Sequence, residues 1–147
     1  MNRDPVSVAF VCVQNAGRSQ MAAAFARREC HRRGFENAIE VHSGGTDPAD
    51  HVHGVVVDAM AEVDIDLSGE VPRRIRREEL LDMDLVITMG CSAEDVCPAT
   101  WRGDARDWGL DDPAGRSIEE VRAIRDETER RTVALFDELE EKMQPGT

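Results

Sequence analysis

Tyrosine is absent from the 147-residue sequence, lysine occurs only at Lys142, and aromatic residues make up 4% of the chain. No apolar run approaches the roughly 20 residues that a membrane-spanning helix needs. The N-terminus lacks the charged-then-apolar pattern of a signal peptide, so the sequence is expected to act in the cytoplasm without a membrane partner. Positive charge is also scarce, with 30 acidic residues and a formal net charge of −12. A nucleic-acid backbone or an anionic lipid surface would repel such a chain, which argues against either as a partner. Arginine in place of lysine, together with abundant acid, suggests a GC-rich genome and a salt-loving host in which a strongly negative surface aids solubility. No linker, internal repeat or low-complexity tract breaks the chain, and residues 1–147 are expected to form one domain around one core. Four cysteines in an intracellular chain point to redox, catalytic or metal-binding roles more than to structural disulfides.

The stretch on which everything else turns is Cys12-Val-Gln-Asn-Ala-Gly-Arg18-Ser19. The apolar run Val6 to Val11 before it reads as a buried parallel strand, ending near Val13, and Ser19 to Arg33 after it reads as a helix. The residues between must form a tight strand-to-helix loop, in which Asn15 and Gly17 tolerate positive φ. Backbone N–H groups of Val13, Gln14, Asn15, Ala16, Gly17, Arg18 and Ser19 can then turn inward as an oxyanion cradle at the positive end of the helix. Arg18 adds a planar, bidentate clamp. Cys12 would lie beside the bound anion, and the same amides and Arg18 should favour its thiolate, a nucleophile toward phosphorus or arsenic. An acidic protein with an anionic substrate needs such a locally positive pocket.

The rest of the chain alternates strands with helices. On the first helix Met21, Ala22, Phe25, Ala26 and Cys30 share an inward face, Arg27, Arg28, Arg32 and Arg33 are left for solvent, and Gly34 stops the helix. Ile39 to Ser43 alternates as a second strand before a Gly44-Gly45 loop. Val55, Val56, Ala59, Met60 and Val63 mark a further helix. Leu67 to Arg77 is irregular, Glu78 to Leu81 a short helix, and Leu85 to Met89 a third strand. Ser92 and Asp95 could cap one or two helical turns. Arg106 to Leu110 is expected as a fourth strand. Ser117 and Glu120 form a capping box that opens a long helix through about Lys142, with Val121, Ile124, Thr128, Leu135 and Leu139 inward. The alternation predicts an α/β three-layer sandwich with about four parallel strands, flavodoxin-like, the first strand central. Ligands in such folds bind beyond the strands' C-terminal ends, where the loops bearing Cys12, Cys91 and Asp112 would meet.

Several motifs admit two readings. Asp111-Asp112-Pro113 is either a surface turn or a loop carrying a general acid, Asp112, that protonates a departing oxygen. Cys91 and Cys97 lack a second ligand pair at zinc spacing, so no metal site is expected there. His51 and His53 read as surface residues. Arg73, Arg74, Arg76 and Arg77 read as a solvated helix entry, with a docking patch or an anion entry route as the other reading. Cys30 reads as core packing.

The run Phe10-Val-Cys12-Val-Gln-Asn15-Ala-Gly-Arg18-Ser19-Gln-Met-Ala resembles the signature of the low-molecular-weight protein tyrosine phosphatase superfamily, and within it the arsenate reductases that recycle through thioredoxin-like partners. The resemblance implies that fold, no cofactor, and arsenate or phosphate as ligand. It implies Cys12 as nucleophile with Arg18 and Ser19 beside it, and Asp112 as acid. It further implies that Cys91 and Cys97 close a disulfide in a relay from Cys12, reduced by thioredoxin or a similar dithiol. A plain phosphatase working through a phosphocysteine on Cys12 is the alternative, and a non-catalytic anion-binding or redox-sensing protein a third reading. Phosphatases of the superfamily usually carry tyrosines after Asp-Pro, where this chain reads Asp-Pro-Ala-Gly and has none. Some of the reductases hold potassium near the cradle through carboxylates, but the matching positions here are Ala23 and Arg73, so no metal is expected.

Overall fold

The computed structural model describes residues 5–90, 96–97, 100–101 and 103–143. Along the chain it forms β1 (Val6–Cys12), α1 (Arg18–Arg33), β2 (Ile39–Gly45), α2 (Gly54–Ala61), α3 (Arg77–Leu80), β3 (Leu85–Met89), β4 (Asp104–Asp107) and α4 (Ile118–Met143). All strand pairs are parallel, in the order β2-β1-β3-β4, so the two apolar strands occupy the middle. Their side chains alternate between two separate cores, as the two-residue period of a strand requires. Val8, Phe10 and Cys12 of β1, with Leu85, Ile87 and Met89 of β3, face α1 and α4. Ala9, Val11 and Val86 face the opposite way, onto Ile75, Leu80, Met83 and Val96. A strand buried on both faces cannot alternate apolar with polar, which is why both read as continuous apolar runs. A third cluster joins α2 to α1 and α4 through Met21, Phe25, Val56, Met60 and Val121. The result is the expected α/β sandwich of three layers with the first strand inside the sheet.

The helix ends follow local chemistry. Gly34, at φ 73°, closes α1 in the left-handed conformation that glycine adopts without strain. At the start of α4, Ser117 Oγ accepts the Glu120 N–H (3.3 Å) while the Glu120 carboxylate accepts from Ser117 N and Oγ, the expected capping box. Met1 to Asp4 and the proposed Ser92 and Asp95 cap lie outside the described residues.

Two expectations need correction. The fourth strand is Asp104–Asp107, not Arg106 to Leu110. It is a polar edge strand, a common way of discouraging further strand pairing. The apolar residues that suggested otherwise follow it: Trp108 and Leu110 are buried in the main core, the Trp108 ring 5.8 Å from that of Phe10. Nor are all the α1 arginines left to solvent. Arg28 reaches Glu129 at 2.7 Å, and Arg33 reaches Asp137 at 2.9 Å and Glu140 at 3.1 Å, all on α4, while both also meet the buried carboxylate of Glu29. They stitch α1 to α4, the Arg28 guanidinium lying 4.8 Å from the centre of the Phe25 ring and that of Arg33 5.9 Å from the centre of the Phe136 ring, as cation–π pairs do.

Glu62, just beyond α2, makes a comparable bridge to Arg122 and Arg125 of α4, and those hydrogen bonds hold its carboxyl down to about 2. A carboxylate depressed in the folded state adds stability above its unfolded value, near 4.5, and loses that contribution as pH falls toward 2. Glu62→Gln should therefore lower thermal stability at neutral pH and narrow the gap from the parent between pH 4.5 and 2, as followed by circular dichroism melts. A gap that stayed constant across that window would assign the bridge no electrostatic role.

Candidate active site

β1 ends at Cys12 and α1 begins at Arg18, so Val13 to Gly17 must turn the chain within one loop. Asn15 takes the strained part of that turn, at φ 50°, as the sequence predicts. Gly17 does not have positive φ; it is placed by close approach, since a Cβ there would lie 2.6 Å from Pro113 Cγ.

Every carbonyl of this turn has a donor behind it. Cys12, Val13, Gln14 and Ala16 oxygens accept from the N–H groups of Thr46, Asp47, Ala49 and His53, and Gly17 O accepts from Met21 N. Asn15 O accepts from Gln20 Nε2 at 3.1 Å. Because C=O and N–H point to opposite sides of a planar peptide, carbonyls tied down on the outside leave the amides for the concave side. The β2–α2 loop thus builds the cradle from behind, and it needs the space at Gly45, where a Cβ would sit 2.5 Å from Val13 O.

The hollow so formed has a volume of about 290 Å³ and is lined by Cys12, Val13, Gln14, Ala16, Gly17, Arg18, His53, Gly90 and Asp112. Cys12 is 3% exposed at its base. Its sulfur lies 2.8 Å from Ser19 Oγ and accepts the Asn15 N–H at 3.2 Å. Ser19 Oγ also accepts from Asn15 Nδ2 at 2.7 Å, which leaves the hydroxyl proton available to an ionised sulfur. Arg18 leans across the opening. Its Nη1 donates to Leu110 O (3.1 Å), its Nη2 lies 3.8 Å from the Asp112 carboxylate, and its plane rests on Gly90. Gly90 is required twice over: φ is 80°, and a Cβ would meet the guanidinium at 2.8 Å. Asp112 is exposed, with its carboxylate accepting from Ala114 N at 3.0 Å.

Of the expected site residues, Cys12, Val13, Gln14, Ala16, Gly17, Arg18 and Asp112 line one hollow, while Asn15 and Ser19 do not line it but are fully buried and bonded to the Cys12 sulfur and to each other. Cys91 lies outside the described residues; Gly90, its predecessor in the chain, lines the hollow. Cys97 does not line it. It is half-buried beside Trp101 against the Ala9, Val11 and Val86 side of the sheet, where burial pushes its thiol above the usual range. Cys30 packs in the core with its thiol pushed up to about 11, by burial first and by Glu36 second, as suits an inert residue.

His53 is a correction. His51 is exposed as expected, but His53 is half-buried and lines the hollow. A signal was present: all βα loops of a parallel sheet open on the same edge, and His53 stands directly before α2. Arg73 is exposed as expected, and its guanidinium is in addition tied to Ser43 O and to Glu79.

Comparison with known proteins agrees with this geometry. Residues 7–145 match the family described as low molecular weight phosphotyrosine protein phosphatase. A relative named as a putative arsenate reductase from Halobacterium salinarum is 55% identical over 130 residues, covering 88% of this chain and 90% of that protein. The thioredoxin-dependent arsenate reductase of Corynebacterium glutamicum superimposes with a TM-score of 0.77 at 31% identity, over 97% of this chain, which spans 66% of that protein's length. An arsenate reductase solved in a phosphate-binding state gives a TM-score of 0.74 at 34% identity, covering 90% of this chain and 98% of the other. The cradle, the sheet order and these likenesses lead to one conclusion: the chain belongs to the low molecular weight phosphotyrosine protein phosphatase family and, within it, groups with the arsenate reductases.

Proposed function

We propose that the protein reduces arsenate to arsenite in the cytoplasm, with electrons from thioredoxin or a similar dithiol. The observation that carries this reading is the Cys12 thiol at the base of a hollow of about 290 Å³ shared with Arg18, Asp112 and Gly90. A tetrahedral oxyanion held by the loop amides and Arg18 presents its central atom to the Cys12 thiolate. Attack forms the sulfur–arsenic bond as Asp112 gives its proton to the departing oxygen, which leaves as water. The Cys91 thiolate then attacks the Cys12 sulfur. The electron pair of the sulfur–arsenic bond stays on arsenic, arsenite leaves, and a Cys12–Cys91 disulfide remains. Cys97 attacks Cys91 and restores the Cys12 thiolate, leaving a Cys91–Cys97 disulfide for the external dithiol.

A phosphatase would use the same Cys12, Arg18 and Asp112 and stop at hydrolysis of a phosphocysteine. Among the described residues no Phe or Trp side chain lines the hollow, and the chain has no tyrosine to flank an aryl ester. That favours a small inorganic oxyanion. Arsenate-dependent oxidation of NADPH in the presence of thioredoxin and thioredoxin reductase, set against hydrolysis of an aryl phosphate, tests the choice. Fast hydrolysis without arsenate-dependent NADPH oxidation would reverse it.

A further inference from the structure

The basic stretch Arg73 to Arg77 takes no part in the chemistry above, yet its first residue is tied to three elements at once. The Arg73 guanidinium donates to Ser43 O of β2 at 2.8 Å and to the Glu79 carboxylate of α3 at 2.6 Å. Its backbone is held too, with the carbonyl accepting from Gly45 N at 2.9 Å. So fixed, the Arg73 N–H donates to Asn15 Oδ1 at 3.0 Å.

That last bond matters because Asn15 and Ser19 are fully buried. Asn15 Oδ1 accepts both the Arg73 N–H and Gln20 Nε2, so its Nδ2 must face Ser19 Oγ, 2.7 Å away. A hydroxyl that accepts from Nδ2 keeps its own proton for Cys12 Sγ, 2.8 Å away. With the amide turned over, Oδ1 would instead face Ser19 and compete for that proton. The donors on Oδ1 therefore decide whether the serine proton serves the thiolate.

We propose that Arg73 is a positioning residue for Cys12: its guanidinium pins the chain between Ser43 and Glu79, its N–H fixes the Asn15 amide, and the amide commits the Ser19 proton to the sulfur. The role rests on Cys12 being the nucleophile of the proposed function. The Arg73 contacts that carry it are with Asn15, Ser43, Gly45 and Glu79, and none is with the Arg18, His53 or Asp112 side chains beside Cys12.

The test is the rate at which iodoacetamide alkylates Cys12 in the full-length protein at neutral pH, read by peptide mass spectrometry with Cys97 as internal reference. Arg73→Ala should slow Cys12 about tenfold, the effect of losing one hydrogen bond to a charged group, and leave Cys97 unchanged. Turnover of arsenate should fall through kcat more than through KM. Arg73→Lys should recover part of the rate, because an ammonium keeps the charge without the two-way fork. Glu79→Gln should act in the same direction and carries the test if Arg73→Ala does not fold. Arg122→Ala, which breaks the remote bridge to Glu62, should lower the melting temperature without changing Cys12 alkylation. Equal alkylation of Cys12 in the parent and Arg73→Ala, or parallel changes in Cys12 and Cys97, would overturn the proposal. A chain that failed to reduce arsenate yet showed the Cys12 effect would overturn the proposed function and leave this role standing.

Discussion

Cys12→Ser is expected to abolish all chemistry, Cys91→Ser to lose arsenate reduction while keeping any phosphatase side activity, and Cys97→Ser to stop after one turnover as a trapped Cys12–Cys91 disulfide. The order follows from what each sulfur does. A serine hydroxyl at position 12 is not ionised by the cradle and cannot attack the oxyanion, so nothing downstream begins. Without Cys91 the adduct forms but no thiol expels arsenite. Without Cys97 the first disulfide forms and has no route outward. The geometry adds a demand on Cys97, whose thiol is half-buried against the sheet, a burial that pushes its pKa up and so disfavours the thiolate. Thiol–disulfide exchange needs a thiolate with access to its target, so Cys97 must leave this packing before it can act. Spacing makes the same demand. Bridged Cα atoms lie about 4.4 to 6.8 Å apart, whereas a helix spanning positions 91 to 97 would hold them roughly 9 Å apart. Mass spectrometry of each variant after arsenate treatment reads the trapped species directly. Sustained thioredoxin-dependent turnover by Cys97→Ser would sink the three-cysteine scheme.

How much of this could be read beforehand divides along the range of the interactions. The cradle was legible because its determinants are local: a strand end at Cys12, a residue that tolerates positive φ at Asn15, and a helix start at Arg18. The sheet was legible because both central strands are buried on two faces and must be apolar throughout. The edge strand misled, since Trp108 and Leu110 belong to the core without belonging to the hydrogen-bonded ladder. What stayed hidden acts across the chain. Nothing in the composition of Thr46 to His53 says that its amides will satisfy the cradle's carbonyls. Arg73 likewise looks like one more solvated arginine until Ser43, Glu79 and Asn15 are seen around it. Arg28 and Arg33 posed the same problem, as arginines on a helix face whose partners come from a distant helix.

Asp112→Asn should slow formation of the Cys12 adduct by about 10²- to 10⁴-fold, the usual worth of a positioned general acid, while Asp111→Asn should be nearly silent. The two aspartates are neighbours in sequence but not in environment. Asp112 lines the hollow with Cys12 and lies 3.8 Å from Arg18. Asp111 lines a different hollow of about 260 Å³, with Arg116 and Glu120. The loop that carries them is braced independently of the acid's chemistry, by Pro113 against Gly17 and by Arg116 Nε donating to Asp112 O at 2.7 Å. Asparagine can still accept the Ala114 N–H through its own Oδ1, so the substitution removes a proton donor and little else. Before substrate arrives, Asp112 and Leu110 O both draw on the Arg18 guanidinium. An arriving oxyanion competes for the same fork with a better bidentate match, which frees Asp112 to protonate the departing oxygen. Asp112→Asn should accordingly bind arsenate as tightly as the parent or more so, because a competitor for Arg18 is gone, and lose rate in the chemical step alone. Single-turnover kinetics with equilibrium binding of phosphate as the control separate the two effects. A damaged Asp111→Asn beside an unimpaired Asp112→Asn would reverse the assignment, and loss of binding in step with rate would make Asp112 an anchor for Arg18 instead of an acid.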